Sequence, residues 1–379
     1  MNKAKLEALL KLLLVFFFVY LFLVSIGLMG SAFKGFGRDF AEGLIRTTSN
    51  PFIGLFIGIL ATSLVQSSST TTSIVVGMVA SGAMGPGVTG IQNAIPIIMG
   101  ANIGTTVTSM MVSLGHIGRR EEFRRAVTGS AVHDFFNIMC VCLLFPLEVS
   151  FHLLSRIAGF MSSIFQNAGG IKFTSPLKVA TKPVIHFIEE LIKKLNAAPN
   201  ITYILMLIVS IIILFFSLYF IVKIMKTLVV QRAEIVFNNV LGKHGGLTIV
   251  AGIIVTAIVQ SSSITTSLMV PLVAAGILTV EMVFPITIGA NIGTTVTAIL
   301  ASFATGNIAA ITVAFTHFLF NMTGVCCIYP IKKLRKIPLF LAKKLGNLAF
   351  KKRRYVVIYV LTTFFIIPGI LIWISKLIK

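Results

Sequence analysis

The chain has 379 residues, of which 56% are hydrophobic and only 11% charged. Its mean hydropathy of +0.98 and its long uncharged tracts, such as residues 47–118, are typical of a protein that spans a membrane and exclude an ordinary soluble domain. The formal net charge of +21 does not indicate nucleic-acid binding, because the basic residues lie in short segments beside apolar tracts, as the positive-inside rule expects.

Apolar windows of about 20 residues, the length that crosses a bilayer, recur along the chain. The first could be a signal peptide, but its apolar stretch is too long and no small-x-small cleavage site follows, so we expect it to be retained. The seven predicted spans cover residues 10–30, 92–115, 124–148, 200–224, 283–305, 308–330 and 355–377. The sequence therefore predicts an all-α polytopic membrane protein.

Three motifs occur twice, which indicates a duplicated unit. The pairs are VQSSSTTTS at 65–73 with VQSSSITTS at 259–267, GANIGTTVT at 100–108 with its identical copy at 289–297, and HDFFN at 133–137 with HFLFN at 317–321. The offset between copies falls from 194 to 189 to 184 residues, as small loop deletions would produce. We predict a first repeat at 1–148 and a second at 200–330.

Each QSSS tract lies in an uncharged stretch of 33 residues (52–84) or 34 residues (247–280). As one helix, such a stretch would measure about 50 Å at ~1.5 Å per residue, which exceeds the ~30 Å hydrocarbon core. Two complete crossings would need more residues. A helical hairpin that enters part-way and returns fits the length, with its polar tip buried in protein or facing water. We predict re-entrant hairpins at about 51–85 and 246–280.

The GANIGTTVT segments contain two glycines, an asparagine and three threonines, and Pro96 or Pro285 precedes each. Because these residues weaken a helix, the sequence predicts broken transmembrane helices at about 92–115 and 283–305. With hairpins that return, each repeat crosses three times and the second is inverted, a plan found in many secondary transporters. The Lys and Arg residues then divide 21 to 11 between the two sides, which favours this topology.

Three further segments complete the predicted organisation. Residues 149–199 form an extracytoplasmic loop between the repeats, and residues 331–354 form a basic cytoplasmic loop, followed by a C-terminal transmembrane helix at 355–379. The stretch 331–355 has ten Lys or Arg residues and no acid. We expect this stretch to be cytosolic, where it can contact anionic lipid headgroups.

The two QSSS tracts together carry thirteen hydroxyl groups. A buried hydroxyl without a partner costs about 1–3 kcal/mol, so these groups need partners. They can bond back to helix carbonyls and allow close helix packing. Two matched clusters, each beside a glutamine, favour a binding site at mid-membrane instead. Hydroxyl and amide oxygens suit a monovalent cation, and hydroxyl and N–H donors at helix N-termini suit an anion.

The nature of the coupling ion follows from the ionisable residues. Asp134 is the only acid well inside a predicted span, and Phe318 replaces it in the second copy. Proton-coupled carriers usually need intramembrane acids or histidines, so a site of hydroxyls and amides favours sodium, with His133 and His317 as the proton-coupled alternative. The absence of a Walker sequence argues against an ATP-driven pump, and the absence of a GxSxG elbow argues against a serine hydrolase. A passive channel remains an alternative.

Together these motifs resemble the type II sodium-dependent inorganic phosphate cotransporter family. The resemblance covers most of the chain and extends to EFRRAVTGSAVHDFFN at 122–137 and YPIKKLRKIPLFLAKKLGN at 329–347. It implies sodium-coupled symport of inorganic phosphate by alternating access, no enzymatic activity and no cofactor. It also implies a multi-pass protein of the bacterial plasma membrane. We expect a member without the PhoU-like domain that some bacterial relatives carry. The segment 149–199 has none of the cysteines expected between the repeats, and Gly118-Arg119 stands where a Gly-Asp is expected. These departures leave the stoichiometry open.

The resemblance assigns phosphate to the serine runs, and sodium to the neighbouring amides and threonines. The predicted phosphate-binding residues are Ser67, Ser68, Ser69, Thr70, Ser261, Ser262 and Ser263. The predicted sodium-binding residues are Gln66, Thr71, Thr72, Asn102, Thr105, Thr106, Gln260, Thr265, Thr266, Asn291, Thr294 and Thr295. The expected partners are phosphate, sodium and the lipid bilayer, with a homo-oligomer left open. A carrier of sulfate or of a dicarboxylate, coupled to sodium or protons, and an anion channel are the alternatives.

Overall fold

The computed structural model describes residues 3–167, 176–240 and 245–377. All regular elements within these ranges are helices, as predicted. They are α1 (Lys3–Gly35), α2 (Gly37–Thr48), α3 (Pro51–Val65), α4 (Ser68–Ser81), α5 (Gly87–Gly104), α6 (Val107–Leu114), α7 (Arg120–Phe151), α8 (Leu153–Asn167), α9 (Pro176–Lys193), α10 (Pro199–Val240), α11 (Gly245–Val259), α12 (Ser262–Ala274), α13 (Val280–Thr305), α14 (Ile308–Ile328), α15 (Lys332–Lys351), α16 (Arg354–Leu361) and α17 (Ile367–Leu377), with a π-helical turn at Thr362–Ile366.

Seven segments of the described chain are long and apolar enough to cross a membrane. They are Leu9–Gly35, Gly87–Leu114, Arg120–Phe151, Pro199–Met225, Val280–Thr305, Ile308–Ile328 and Arg354–Ser375. Each overlaps one of the seven windows predicted from hydropathy. The prediction of an all-α polytopic membrane protein is therefore confirmed.

Each QSSS tract forms a tight turn between two short helices. α3 ends at Val65, the next residue Gln66 has a left-handed φ of 57°, and Ser67 caps the N-terminus of α4. In the second copy Gln260 has a φ of 61° and Ser261 caps α12. The four helices have 13 to 15 residues. At ~1.5 Å per residue they measure about 20–23 Å, less than the ~30 Å of a hydrocarbon core.

A hydrogen bond between threonines joins the two helices of each pair. Thr62 Oγ1 donates to Thr71 Oγ1 at 3.0 Å, and Thr256 Oγ1 donates to Thr265 Oγ1 at 2.9 Å. The two bonds occupy equivalent positions, one helical turn from the tip. Each pair is therefore folded back on itself, and α3–α4 and α11–α12 are the two hairpins of the protein.

The glycines of the GANIG motifs allow helix backbones to approach closely. α5 packs on α3, and α13 packs on α11 in the same way. A Cβ atom at Gly100 would lie 2.0 Å from the carbonyl oxygen of Leu55, and one at Gly289 would lie 2.2 Å from that of Ile249. Only glycine fits where the two backbones meet at this distance.

The prediction of a broken helix at 283–305 is wrong. α13 continues without interruption from Val280 to Thr305, through Pro285 and the whole GANIGTTVT motif. The motif's glycines face a packed backbone, and Thr294 and Thr295 bond back to carbonyls of their own helix, at 2.9 and 2.7 Å. Close packing and these bonds offset the low intrinsic helix propensity.

In the first GANIGTTVT segment the helix is interrupted, but the interruption is short. It consists of the two residues between α5 and α6, Thr105 and Thr106, and both keep right-handed helical dihedral angles. α5 also runs through Pro96 without a break. Proline is tolerated in such a helix when neighbouring helices and side chains satisfy the freed backbone groups.

Two segments predicted as loops are largely helical. The connection 149–199 contains α8 and α9, and the basic segment 331–354 is α15 over most of its length. α15 packs along α7 through small and apolar residues at helical spacing. These buried residues are Pro338, Ala342, Leu345, Gly346 and Ala349. The high charge of the segment obscured this periodicity in the sequence.

Candidate functional site

The tips of the two hairpins contact each other. Ser69 Oγ, at the start of α4, donates to the backbone carbonyl of Gln260 at 3.4 Å, across 191 residues of sequence. The second helix of each hairpin also packs against the other half of the chain, α4 against α13 and α12 against α6 and α7. The two tracts that the sequence singled out therefore form one polar centre.

Two helix N-termini open at this centre. Ser67 Oγ accepts from the N–H of Thr70 at 3.2 Å, and Ser261 Oγ accepts from the N–H of Ile264 at 3.4 Å. The first N–H groups of a helix have no intrahelical acceptor, and the helix dipole makes this end positive. The start of α4 and the start of α12 thus offer N–H and hydroxyl donors to an anion.

Most of the predicted phosphate-binding residues are buried at these tips. Ser68, Ser69, Thr70 and Ser262 have at most 6% of their surface exposed, whereas Ser67, Ser261 and Ser263 are partly exposed. Because these residues are buried, an anion that binds here loses hydrogen bonds to water and gains hydrogen bonds from protein donors instead.

Each tip is tied to a GANIGTTVT helix by an equivalent threonine. Thr297 Oγ1 donates to the side-chain oxygen of Gln260 at 2.8 Å, and Thr108 Oγ1 reaches the backbone carbonyl of Gln66 at 3.5 Å. The side chain of Gln66 is exposed and its amide contacts Met111 Sδ at 3.5 Å. The Gln260 side chain thus bonds a threonine hydroxyl of its polar helix, whereas the Gln66 side chain contacts a methionine sulfur of α6.

A chain of amide and imidazole groups connects the two repeats behind the tips. His133 Nε2 lies 2.6 Å from Asn291 Oδ1, and Asn291 Nδ2 donates to Asn137 Oδ1 at 2.6 Å. Asn137 Nδ2 then donates to the carbonyl of Asn102, also at 2.6 Å. All four residues are buried. Because His133 and Asn137 lie on α7, this chain of hydrogen bonds links α7 to both GANIG helices.

The equivalent residues of the second repeat do not make this chain. Asn321 Nδ2 donates to the carbonyl of His317 in its own helix at 3.1 Å. Among the described residues Nδ1 has no partner in either His133 or His317, so the two histidines differ in the contact that His133 makes through Nε2. Asn102 Nδ2 donates to Ile98 in its own helix at 3.0 Å. The two repeats share their sequence motifs but differ in these contacts.

Asp134 is fully buried one residue after His133. It accepts from Thr106 Oγ1 at 2.9 Å and from the hydroxyl of Tyr359 on α16. The C-terminal span thus reaches the interruption between α5 and α6. Sequence reasoning noted Asp134 but missed Tyr359, whose only signal was a hydroxyl inside an apolar window.

Several predicted sodium ligands also bond to their own helices. Thr72 donates to the Ser68 carbonyl at 2.8 Å and Thr266 to that of Ser262 at 2.9 Å, as Thr294 and Thr295 do in α13. Their oxygens keep lone pairs that a cation can use. Three buried hydroxyls in the described chain have no partner at all, those of Thr105, Ser73 and Ser267. Ser73 and Ser267 occupy equivalent positions and were not predicted.

The fold and this centre define a class, namely helical membrane proteins built from a duplicated unit with a buried polar site, which is typical of transporters. The family model for the Na+/Pi-cotransporter matches residues 21–147 and 201–340. The chain belongs to this family, as its motifs predicted. The family consists of transporters, which excludes the serine-hydrolase alternative.

Similar proteins include the human sodium-dependent phosphate transport protein 2B, at 35% identity over 94% of this chain and 64% of the relative. The rat sodium-dependent phosphate transport protein 2A is 33% identical over 97% of this chain and 68% of the relative. The chain therefore spans about two thirds of the length of these relatives. No solved structure matches it.

Proposed function

We propose that this protein is a sodium-coupled symporter of inorganic phosphate in the plasma membrane. The observation that carries the proposal is the contact between the two QSSS tips, made by Ser69 and the Gln260 carbonyl, in a chain of the Na+/Pi-cotransporter family. Both tips present a helix N-terminus, so donors approach one point from two sides.

Phosphate suits this arrangement because it is tetrahedral and accepts hydrogen bonds on all its oxygens. In the proposed complex, the N–H groups and hydroxyls of Ser68 and Ser69 bind one side of the anion, and those of Ser262 and Ser263 bind the other. No Lys or Arg side chain is required, since the two helix dipoles and a neighbouring cation supply positive potential.

Sodium is proposed to bind beside the anion, at oxygens of the same tips and of the GANIG helices. Gln260 offers a side-chain oxygen already held by Thr297 at 2.8 Å. Thr105 and Ser267 offer hydroxyls that have no partner in the described chain. A bound cation lowers the cost of burying the anion, and the anion does the same for the cation, which gives the coupling.

The hairpins are proposed to be re-entrant and the repeats inverted. Each hairpin helix, at about 20–23 Å, is too short to cross the hydrocarbon core. Each repeat then contributes three crossings: α1, α5 with α6, and α7 in the first, and α10, α13 and α14 in the second. An odd number of crossings places the two repeats in opposite orientations, which is the basis of alternating access in many transporters.

The polar chain behind the tips supports alternation between two states. His133 and Asn137 hold Asn291 in this conformation, whereas His317 and Asn321 leave Asn102 to bond within its own helix. In the opposite-facing state, we propose, the second repeat makes the equivalent contacts and the first releases them. The hydrogen bonds that the first repeat loses in this transition are then replaced by equivalent hydrogen bonds in the second repeat.

The test is uptake of radiolabelled phosphate into proteoliposomes, with sodium or potassium outside. Accumulation that needs the sodium gradient and persists with excess unlabelled sulfate is the expected result. Loss of the signal to sulfate would change the substrate but keep the mechanism. Uptake driven by a pH gradient without sodium would point to His133 and His317 as coupling groups. Flux without accumulation would indicate a channel.

A further inference from the structure

A large cavity lies away from the polar centre, between α13 and α15. It measures about 990 Å³, at the upper end of the roughly 300–1,000 Å³ range of small-molecule sites. The residues that line it are Glu281 and Phe284 of α13, Tyr329 just beyond α14, and Arg335, Lys336, Ile337, Leu339, Phe340, Leu341 and Lys343 of α15. It belongs to neither hairpin.

The cavity lies at one face of the membrane. α13 begins at Val280 and α14 ends at Ile328, and the two spans are joined by a short connection at Gly306 and Asn307. The start of α13 and the end of α14 therefore lie on the same side of the bilayer. Tyr329 at this point is a residue typical of the interface between hydrocarbon and headgroups.

The cavity combines an apolar wall with basic groups at its edge. Phe284, Leu339 and Leu341 contribute the wall, and Phe340 and Ile337 remain 64% and 42% exposed. Aromatic and aliphatic side chains left exposed at this level fit an acyl chain better than water.

Two of the three basic groups are free to bind an anion. Lys343 pairs with Glu281 at 2.5 Å. Arg335 lies over the ring of Tyr329, 5.0 Å from its centre, which orients the guanidinium and leaves its N–H groups without an acceptor among the described residues. In the described chain neither Arg335 nor Lys336 has an acidic partner.

We propose that this cavity binds an anionic phospholipid, with an acyl chain along the apolar wall and the phosphodiester at Arg335 and Lys336. A soluble anion would use the two cations but not the apolar wall, and a zwitterionic lipid would place a positive headgroup among the cations of α15. The ten basic residues and no acids of 331–355 raise the local concentration of anionic lipid. This site is independent of the proposed transport function.

The experiment measures lipid binding to the purified full chain in neutral detergent by native mass spectrometry and by thermal unfolding. The probes are phosphatidylglycerol, phosphatidylcholine with the same acyl chains, and inorganic phosphate. The test variant carries Arg335→Gln and Lys336→Gln. The matched control carries Lys332→Gln and Lys333→Gln, which removes the same charge from exposed residues of α15 outside the cavity.

The wild type and the control should bind phosphatidylglycerol and gain thermal stability from it. The test variant should bind it about 30-fold more weakly, since each basic side chain near an anionic lipid contributes about fivefold. Phe340→Ser should weaken lipid binding with all charges kept. Any one of three results would overturn the proposal. The first is equal binding of both phospholipids, and the second is an equal loss of phosphatidylglycerol binding in the test and control variants. The third is a thermal shift with inorganic phosphate that depends on Arg335.

Discussion

At the scale of single residues, the serines at the two tips carry the proposed phosphate site. Ser262 is 3% exposed and lies at the first position of α12. A leucine there would fill the space that the anion needs, so Ser262→Leu should abolish phosphate uptake. Ser262→Ala keeps the backbone N–H and removes only the hydroxyl, so it should raise the KM for phosphate about tenfold or less.

Uptake in proteoliposomes, normalised to the amount of inserted protein, checks this pair of variants. Ser163→Leu is the control, because Ser163 lies on α8, away from the tips, and its hydroxyl bonds to the carbonyl of Phe160 in its own helix. Full activity of Ser262→Leu would contradict the proposed site.

Two threonines at equivalent positions of the repeats test the sodium assignment, because they make different hydrogen bonds in the structure. Thr297 bonds the side-chain oxygen of Gln260 at 2.8 Å, whereas Thr108 reaches only the backbone of Gln66 at 3.5 Å. Thr297→Val, which keeps the shape and removes the hydroxyl, should raise the sodium concentration for half-maximal uptake about three- to tenfold. Thr108→Val should change it little.

The measurement is the sodium dependence of uptake at saturating phosphate. If the two valine variants gave the same sodium dependence, Gln260 would have no special part in sodium binding.

At the scale of helices, the packing of the GANIG motifs decides stability. A Cβ at Gly289 would lie 2.2 Å from the Ile249 carbonyl oxygen, and neither backbone can move without separating α11 from α13. Gly289→Ala should therefore destabilise the protein by about 1–3 kcal/mol, the usual cost of overpacking. Gly30→Ala in α1 should be neutral or slightly stabilising, since no atom lies within 4 Å of its Cβ and alanine favours the helix.

Thermal unfolding of the two purified alanine variants, followed by size-exclusion chromatography after heating, makes this comparison. A Gly289→Ala protein as stable as Gly30→Ala would show that the two helices separate easily.

The sequence predicted the helices well where length and hydropathy determine them. The seven spans and the turns at Gln66 and Gln260 follow from apolar length and from polar tracts too deep for a straight helix. The break in the second GANIG motif was predicted wrongly, because propensity does not reveal that Gly289 faces a backbone. The bond from His133 to Asn291 could not be predicted, since it depends on how α7 packs against α13.

The count of basic residues also led to a wrong expectation for one helix, α15. It identified 331–354 as basic but predicted a loop, although Ala342, Leu345 and Ala349 are spaced to bury one face of α15. A loop would have offered mobile charges to lipid. A helix held on α7 instead fixes Arg335 and Lys336 beside an apolar cavity, which is the basis of the lipid site proposed above.

At the scale of the whole molecule, the unequal contacts of the two repeats predict how the conformational balance can be shifted. Removing His133 breaks the contact to Asn291 that exists in this state, so His133→Ala should favour the opposite state. In the part of the chain that the structure describes, His317 makes no equivalent contact, so His317→Ala should favour the present state. A single net hydrogen bond of about 1 kcal/mol corresponds to a population shift of about fivefold.

Positions 66 and 260 can report the populations of the two states, because Gln66 is exposed in this state and Gln260 is partly buried. With the four native cysteines replaced, Gln66→Cys should react with a membrane-impermeant thiol reagent from one side of the vesicle. Its labelling rate should fall in the His133→Ala background and rise in the His317→Ala background, and Gln260→Cys should respond in the opposite sense, from the other side. Changes of the same sign at both positions would mean that the histidines affect general stability, and that the two repeats do not exchange their contacts.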